Sequence, residues 1–450
     1  MKRFWLVLLS LGLVMAFSAS VFAADVKFSG SFYAAGVYQD KTTFKKDTSD
    51  QGPSTAFYYQ QLRVNMEFIA TPALKLVTRF DALERVWGGA RSAGTTVAGV
   101  LEPGSSGTRA ENENIAFDNA YIWYASPIGI FTAGYQDDKA WGTKFGDNTY
   151  SVGKITYQFV KMPVIFGLQA GKGADNSYTR STAATAADRD ESFYTAYGIF
   201  VWKGGQVGLL GRYDRKAATR ATALGQFTSK TYSIVPFAKA KIGPLAIEAE
   251  ATYLTGFIAD FETATTDIKA SQLTAYLDIL ADFGMFYVGG MGAYVSGDKP
   301  GTTKREGGNI DGGADWNPCL IMWNWDRYFW AGTLYGYDTI PPMAATYIGS
   351  NDGAMDNAWF GQVRAGVRPI AALDIQGSVA YAKADKLPTG FIEKEYGVEV
   401  DVTATYKITN NLSYMLGVGY LFTGDYYQGT SAANAIDDNF LVINKLTLTF

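Results

Sequence analysis

The chain has 450 residues, of which 18% are charged and 15% aromatic, and its formal net charge is −4. It contains no histidine and a single cysteine, Cys319, which excludes histidine-based catalysis, a histidine-ligated metal and an internal disulfide. There is no basic run or stripe, which argues against nucleic acid as a partner. We expect no enzyme activity, no cofactor and no metal site.

Residues 1–23 have the pattern of a cleaved signal peptide. A basic start is followed by an apolar stretch from Trp5 to Phe17, and the segment ends in a small residue before Ala24. We therefore predict export from the cytoplasm, with residues 24–450 forming one domain. A retained N-terminal anchor is the alternative.

After this leader, apolar and polar residues alternate along nearly the whole chain. From Leu62 to Phe68, for example, Leu, Val, Met and Phe take one face and Arg, Asn and Glu take the other. No apolar stretch of about 18 residues follows that could form a spanning helix. We predict eighteen strands, most of them of 9 to 13 residues, the length that a tilted strand needs to cross a bilayer. They start near Val26, Phe57, Leu74, Ile115, Ile130, Val152, Val164, Ser192, Gln206, Thr231, Leu245, Ala270, Met285, Ala358, Leu373, Glu395, Leu412 and Phe440.

The connections between these strands alternate between short turns and long polar loops. Short turns carry Pro, Gly or Asn, whereas the long connections are 39–56, 84–113, 138–150, 173–191, 215–229, 257–268, 297–356, 384–394 and 423–438. Both chain ends fall on the short side. This pattern predicts an all-β fold, a closed antiparallel up-and-down transmembrane β-barrel of 18 strands, with 16 or 20 left open.

Charged residues recur on the face opposite the apolar one, which predicts a water-filled interior. Over all the strands this inferred inner face carries ten basic and ten acidic residues, so we expect no strong ion preference from the wall alone. The candidates for lining the pore are Arg63, Glu67, Arg79, Asp81, Asp118, Arg212, Lys239, Glu248, Arg364, Glu399 and Asp401.

Two long stretches and the C-terminus resemble known proteins. Phe117–Asn148 is similar to the porin arrangement of a strand, a tight periplasmic turn, a strand ending in Gly-Tyr-Gln, and a loop. Glu395–Asp425 resembles the C-terminal hairpin of alginate-export-type porins, which have eighteen strands. Over residues 25–450 the chain thus resembles a Gram-negative outer-membrane porin. The alternating end, with Leu446, Leu448 and Phe450 on one face, looks like the signal that the barrel-assembly machinery recognises.

The resemblance implies a location in the outer membrane, in contact with lipid and lipopolysaccharide. It leaves a homotrimer open, and no substrate is transferred residue by residue. In many porins the third long loop folds inward, which makes Asp137, Asp138, Lys139, Lys144 and Asp147 candidates for a constriction. Arg63, Arg79 and Asp118 would complete it from the facing wall, and an exposed loop is the alternative.

The connection 297–356 contains the aromatic run from Trp316 to Trp330, which is too apolar to stand free in water. We expect it to pack inside the barrel or across its mouth. Contact with a neighbouring subunit, contact with lipopolysaccharide, or a further strand pair are alternatives.

The leading functional hypothesis is an outer-membrane channel for passive diffusion of small hydrophilic or ionic solutes. The resemblance adds selectivity for an anionic saccharide. A plugged, non-conducting barrel that serves as an adhesin or structural protein is the first alternative, and a soluble extracytoplasmic β-protein is the second.

Overall fold

The structure is a computed structural model. It describes residues 25–46, 54–88, 115–147, 149–176, 189–221, 226–262, 266–308, 316–332, 334, 336–337 and 353–450. The predicted signal peptide lies outside the described residues. In the part of the chain that the structure describes, no helix has the length and apolar character needed to span a membrane.

Nineteen strands form a single sheet. They are β1 (Asp25–Asp40), β2 (Thr55–Thr71), β3 (Leu74–Val86), β4 (Ile115–Ser126), β5 (Gly129–Asp138), β6 (Tyr150–Lys161), β7 (Val164–Ala174), β8 (Glu191–Trp202), β9 (Gly205–Lys216), β10 (Phe227–Ile242), β11 (Leu245–Phe261), β12 (Ile268–Asp282), β13 (Phe286–Val295), β14 (Lys304–Arg305), β15 (Ala358–Ile370), β16 (Leu373–Ala384), β17 (Glu395–Lys407), β18 (Leu412–Thr423) and β19 (Asn439–Thr449). One α-helix, α1 (Trp325–Ala331), and two 3₁₀ turns, Ala218–Ala221 and Asp425–Gln428, complete the described elements.

Eighteen of these strands close into an antiparallel barrel in which each strand pairs with its neighbours in sequence. Closure is made by β1, where Phe32 lies opposite Leu62 of β2 on one side and Leu448 of β19 on the other. The backbones of Gly30 and Phe450 exchange two hydrogen bonds, of 2.8 and 3.0 Å, at the end of this seam. The predicted closing role of the last strand is therefore confirmed, and no sheet edge remains for lipid to desolvate.

The nineteenth strand, β14, has two residues and lies outside the barrel order, pairing in parallel with β12. Because β13 pairs directly with β15, there is no place between them for a further strand pair. The prediction of 18 strands is confirmed and the 20-strand alternative is wrong. Thirteen of the eighteen barrel strands have 10 to 13 residues, so the prediction that most strands run 9 to 13 residues is confirmed. The strands β1, β2, β10, β11 and β12 are longer, with 15 to 17 residues.

The two faces of the barrel differ in polarity. Large apolar side chains such as Ile155, Leu209 and Val363 are more than half exposed on the outside, as expected of a surface that meets lipid. Buried side chains concentrate inside the barrel, where the 316–332 stretch packs against the wall near β1, β2 and β15–β19. The interior is therefore partly filled.

Candidate functional site

The inner side of β2–β5 carries a row of ion pairs. Arg63 makes a bidentate contact with Asp81, with Nε–Oδ1 and Nη2–Oδ2 distances of 2.8 and 2.7 Å. Arg79 bridges two carboxylates, at 3.1 Å from Asp118 and 2.8 Å from Asp137. Antiparallel neighbours place these residues side by side, so adjacent charges largely cancel one another.

A second network lies further along the wall. The carboxylate of Asp138, which is 1% exposed, accepts from Lys154 at 3.2 Å and from Arg212 at 2.7 Å. Arg212 also makes a bidentate contact with Asp214, with Nε–Oδ2 and Nη2–Oδ1 distances of 2.8 and 2.9 Å. A buried carboxylate with two basic partners and good geometry is the arrangement that offsets its desolvation.

The remaining wall candidates also occur in opposite-charge groups. Lys75 contacts Glu67 at 2.9 Å. Lys239 lies opposite Glu248 across β10 and β11, and Glu248 lies opposite Asp278 of β12. Asp278 in turn binds Arg364 at 2.8 Å. The last two candidates, Glu399 and Asp401, are buried on β17 and accept hydrogen bonds from backbone N–H groups.

The β5–β6 loop (139–149) folds into the barrel. At its tip, the Thr143 N–H and hydroxyl both donate to Glu250 Oε2 of β11, at 2.6 and 2.8 Å. The Trp141 indole donates to the Val235 carbonyl at 3.0 Å, and Phe145 stacks on Tyr276 of β12 at 4.9 Å. The alternative of an exposed loop is therefore wrong for the described residues.

The charged constriction candidates lie mostly at the base of this loop rather than at its tip. Lys139 lies over the Tyr150 ring at 5.6 Å, and Asp147 accepts from Thr149 at 2.5 Å. Lys144 is exposed. Arg63, Arg79 and Asp118 lie on β2–β4, which adjoin β5 in the sheet, and Arg79 contacts Asp137 at the base of the loop. These residues therefore lie beside the base of the loop rather than on the facing wall, since the tip reaches β10–β12. A constriction formed by them together with the loop residues stays a prediction.

A second stretch, which we call the inward segment (316–332), also lies inside the barrel. Trp316, Ile321, Met322, Trp323 and Trp330 are 0 to 4% exposed. The C-terminal part of the segment is α1, which begins after Asn324. The Asn324 side chain caps this helix by accepting a hydrogen bond from the Arg327 N–H. The prediction that the aromatic run packs inside the barrel is confirmed.

Aromatic contacts seat the inward segment against the wall. Trp330 stacks on Tyr59 at 4.5 Å and meets Tyr33 edge-on, whereas Trp323 packs edge-on against Phe360 and Tyr396. Such pairs contribute about 0.5–1.5 kcal/mol each beyond their burial. The segment is therefore an integral part of the folded interior.

Two carboxylates of β17 anchor the segment through its backbone. The N–H groups of Ile321 and Met322 donate to the two oxygens of Glu399 at 2.6 and 2.7 Å, and the Leu320 N–H donates to Asp401 Oδ2 at 3.3 Å. The preceding residue, Cys319, is buried beside them. Burial, together with these two carboxylates, raises the pKa of the Cys319 thiol well above its ordinary value.

Sequence reasoning placed Glu399 and Asp401 among the pore-lining residues and missed their role as anchors. Leu320 and Asp401 are 81 positions apart, and no local spacing links them. The contacts of the loop-tip residues Trp141, Thr143 and Phe145, including the one to Glu250, were missed for the same reason. Inward packing was signalled by the resemblance to porins for the β5–β6 loop and by the aromatic run for the inward segment.

The β5–β6 loop and the inward segment meet in the lumen. Phe145 packs edge-on against Trp316, with ring centroids 5.1 Å apart, and Trp316 packs on Phe360 of β15. A cavity of about 370 Å³ lies beside the loop, lined by Asp138 and Arg212 among others. A smaller cavity of about 220 Å³ lies beside the inward segment. The junction therefore lies against the wall at β12 and β15, which are separated by β13.

The C-terminal residues Leu446, Leu448 and Phe450 lie on the outer surface, where they are 38, 39 and 51% exposed. They continue the apolar face of β19 to its last residue. This position is compatible with recognition by an assembly factor, which stays a prediction.

No protein-family model matches the chain, and no curated protein is significantly similar to it in sequence. Solved structures are similar in fold. The outer membrane protein OpdK from Pseudomonas aeruginosa superimposes with a TM-score of 0.50 at 10% identity, covering 94% of this chain and 99% of that one. OccK8 (OprE) from the same organism superimposes with a TM-score of 0.50 at 11% identity, covering 95% of this chain and 98% of that one. OccK11 (OpdR), also from that organism, has a TM-score of 0.50 at 10% identity, covering 95% of this chain and 96% of that one.

At this level of identity the likeness concerns the fold alone. The chain shares its fold with these outer-membrane proteins, and in this chain the fold is a closed barrel of 18 antiparallel strands. These comparisons do not place it in the alginate-export branch.

Proposed function

We propose that this chain forms a water-filled channel in the outer membrane, through which small hydrophilic or ionic solutes diffuse passively. The observation that carries the proposal is the division of the closed barrel into an apolar outside and an inside with charged networks such as Arg79–Asp118–Asp137. Charges of this kind require water or close partners, and a solute path provides the water. The proposal includes no enzymatic step.

The same proposal covers export and assembly. The leader at residues 1–23 directs the chain out of the cytoplasm, and the end at Phe450 is read by the barrel-assembly machinery. Lipid and lipopolysaccharide then cover the outer face. Fractionation with the outer membrane, together with heat-modifiable migration on a detergent gel, tests this placement. Recovery in the soluble periplasmic fraction would contradict it.

Conductance in planar lipid bilayers tests the channel directly. We expect stepwise current increases when the folded, detergent-purified protein is added in potassium chloride, and none from a heat-denatured sample. The absence of steps from the folded protein would contradict an open channel.

Ion preference tests the role of the wall arginines. Replacing Arg63, Arg79 and Arg364 together by glutamine leaves their partner carboxylates uncompensated, so we expect the reversal potential in a salt gradient to shift toward cation preference. The matched control replaces Lys161, Lys203 and Lys407, which are exposed. An unchanged reversal potential in the arginine variant would remove these residues from the ion path.

Selectivity for an anionic saccharide is the finer part of the proposal. It rests on the resemblance of Glu395–Asp425 to the alginate-export hairpin and on the basic groups of Lys154 and Arg212, which line the larger cavity. A uronic-acid oligosaccharide should reduce the ion current at concentrations at which a neutral oligosaccharide of equal length does not. Equal reduction by both would contradict it.

A second candidate function is a closed barrel with a structural or adhesive role. The contact between Phe145 and Trp316 favours it, because the two inward elements join across the lumen. In that case the wild-type protein carries no ion current in planar lipid bilayers, whereas variants that open the junction carry a current. Conduction by the wild type would contradict this candidate.

The proposal extends to a homotrimer. On the outer face, Gly290, Gly292 and Gly361 line an apolar groove on β13 and β15, where Gly292 lies opposite Gly361. Small residues allow close approach of a neighbouring wall in lipid. Native mass spectrometry from detergent should give three times the chain mass, and Gly361→Trp should give single chains. Single chains from the wild type would contradict the trimer.

A further inference from the structure

Three potential metal-ligand atoms converge between the inward segment and β17. They are the Cys319 sulfur and one carboxylate oxygen each from Glu399 and Asp401, all within 4.8 Å of one another. The three residues are 3, 0 and 5% exposed. Within the described ranges of the chain, neither carboxylate makes a salt bridge to a lysine or arginine.

Burial of two adjacent carboxylates without a basic partner raises the question of what compensates their charge. Both oxygens of Glu399 and Oδ2 of Asp401 accept N–H groups of the inward segment. Asp401 Oδ1, also buried, accepts no hydrogen bond from the described residues, although Ser378 and Glu399 lie beside this carboxylate. Buried carboxylates are normally paired with a cation or bound to a metal. This oxygen therefore has the capacity to coordinate a cation.

The residue of β18 that faces the two carboxylates is a glycine. A Cβ atom on Gly419 would lie 2.7 Å from Asp401 Oδ1 and 3.5 Å from Glu399 Oε1, so any larger residue would press on them. The cavity of about 220 Å³ beside the inward segment is lined by both Cys319 and Asp401. A cation and a water molecule can reach these two ligands from the cavity.

We propose that Cys319, Glu399 and Asp401 bind a divalent metal ion of the zinc type. A thiolate with two carboxylates suits Zn²⁺ better than the hard cations Ca²⁺ or Mg²⁺. Tetrahedral zinc, with bonds of about 2.3 Å to sulfur and 2.0–2.2 Å to oxygen, needs ligand atoms about 3.5 Å apart. Small side-chain rotations bring the three atoms to that spacing, and water from the cavity completes the coordination.

The backbone donors already present orient the ligands. The N–H groups that donate to Glu399 and Asp401 act like outer-shell partners in metal sites, which fix the direction of the coordinating oxygens. The metal would join a loop residue to a wall strand and hold the inward segment in place. This proposal does not depend on the channel function.

Metal retention by the full-length, untagged protein tests the site. The chain has no histidine, so an untagged protein carries no competing imidazole. After treatment with a chelator, the protein in detergent is loaded with Zn²⁺, desalted and analysed by mass spectrometry for metal. We expect about one zinc per chain in the wild type and at least tenfold weaker binding in Cys319→Ser and Asp401→Asn.

Asp326→Asn is the matched control. Asp326 lies on the same inward segment and lines the same cavity, but it binds Lys445 rather than the three ligands. It should retain as much zinc as the wild type. Equal losses in Asp326→Asn and Asp401→Asn would overturn the proposal, because general cavity charge would then explain binding.

Cobalt provides a readout that needs no variant. Cys319 is the only thiol, so a sulfur-to-cobalt charge-transfer band in the wild type assigns the metal to this residue, even if the variants do not fold. Absence of both retained zinc and this band overturns the proposal. The two carboxylates then share a proton instead.

Discussion

The backbone anchor at Glu399 offers the sharpest test of how the lumen is filled. Glu399 accepts the N–H groups of Ile321 and Met322 at 2.6 and 2.7 Å and is fully buried. In Glu399→Gln the side chain keeps one acceptor oxygen, and its NH₂ group then faces an N–H donor. One hydrogen bond is lost and one buried donor is left without a partner.

The size of the effect follows from these two changes. Losing a hydrogen bond costs about 0.5–1.5 kcal/mol, and a buried donor without a partner costs about 1–3 kcal/mol. A net loss of about 3 kcal/mol corresponds to a change of roughly 100-fold in the equilibrium between the docked and undocked inward segment. The barrel wall keeps its own backbone ladder, so we expect the effect to stay local.

Hydrogen exchange followed by mass spectrometry measures this equilibrium. In detergent with a chelator present, peptides that cover residues 319–331 should exchange roughly 100-fold faster in the variant, whereas wall peptides should not change. Glu395→Gln is the matched control, since Glu395 is exposed on the same strand and accepts only from Tyr381. Wild-type exchange rates in Glu399→Gln, or equal acceleration in the control, would refute the reasoning.

Three further predictions concern the junction, the rim and the terminus. Phe145→Ala removes both ring contacts that close the junction, so single-channel conductance should rise, whereas Phe283→Ala on the outer surface should leave it unchanged. At the rim, burial raises the pKa of Asp385, but hydrogen bonds from the Gly297 N–H and two neighbouring side chains outweigh it and hold the pKa below its ordinary value. The ionised Asp385 carboxylate therefore stabilises the folded state above a pH of about 4. This stabilisation is lost as the pH falls toward the lowered pKa of Asp385 in the folded protein. Hydrogen exchange at residues 296–298 should therefore accelerate below a pH of about 4 in the wild type and depend less on pH in Asp385→Asn. Deleting Phe450 should lower the amount assembled in the outer membrane without preventing refolding in detergent, and equal assembly of the deletion and wild type would contradict its role as a signal.

The barrel itself follows from local patterns in the chain. The predicted starts of the eighteen strands lie within about four residues of the observed ones; the largest difference is at β10, predicted from Thr231 and observed from Phe227. Period-2 alternation, turn residues and the order of short and long connections are all local signals. Each barrel strand pairs with its neighbours in sequence, except where β19 closes on β1, so these local signals also define the sheet order.

The strand lengths and the charge networks were only partly predictable. Alternation indicated which side of β3 carries Arg79, but not that this residue bridges Asp118 and Asp137. Register and side-chain reach decide such contacts, and a shift of one residue would have changed every partner.

The closed 18-strand barrel and its apolar outer side follow from the sequence, because alternation and turns act over a few residues. The filling of the lumen depends on tertiary contacts. The meeting of Phe145 with Trp316, and of the Leu320–Met322 backbone with Glu399 and Asp401, brings together residues far apart in the chain. Such contacts depend on where long loops lie after the barrel has closed, and no local spacing records that position.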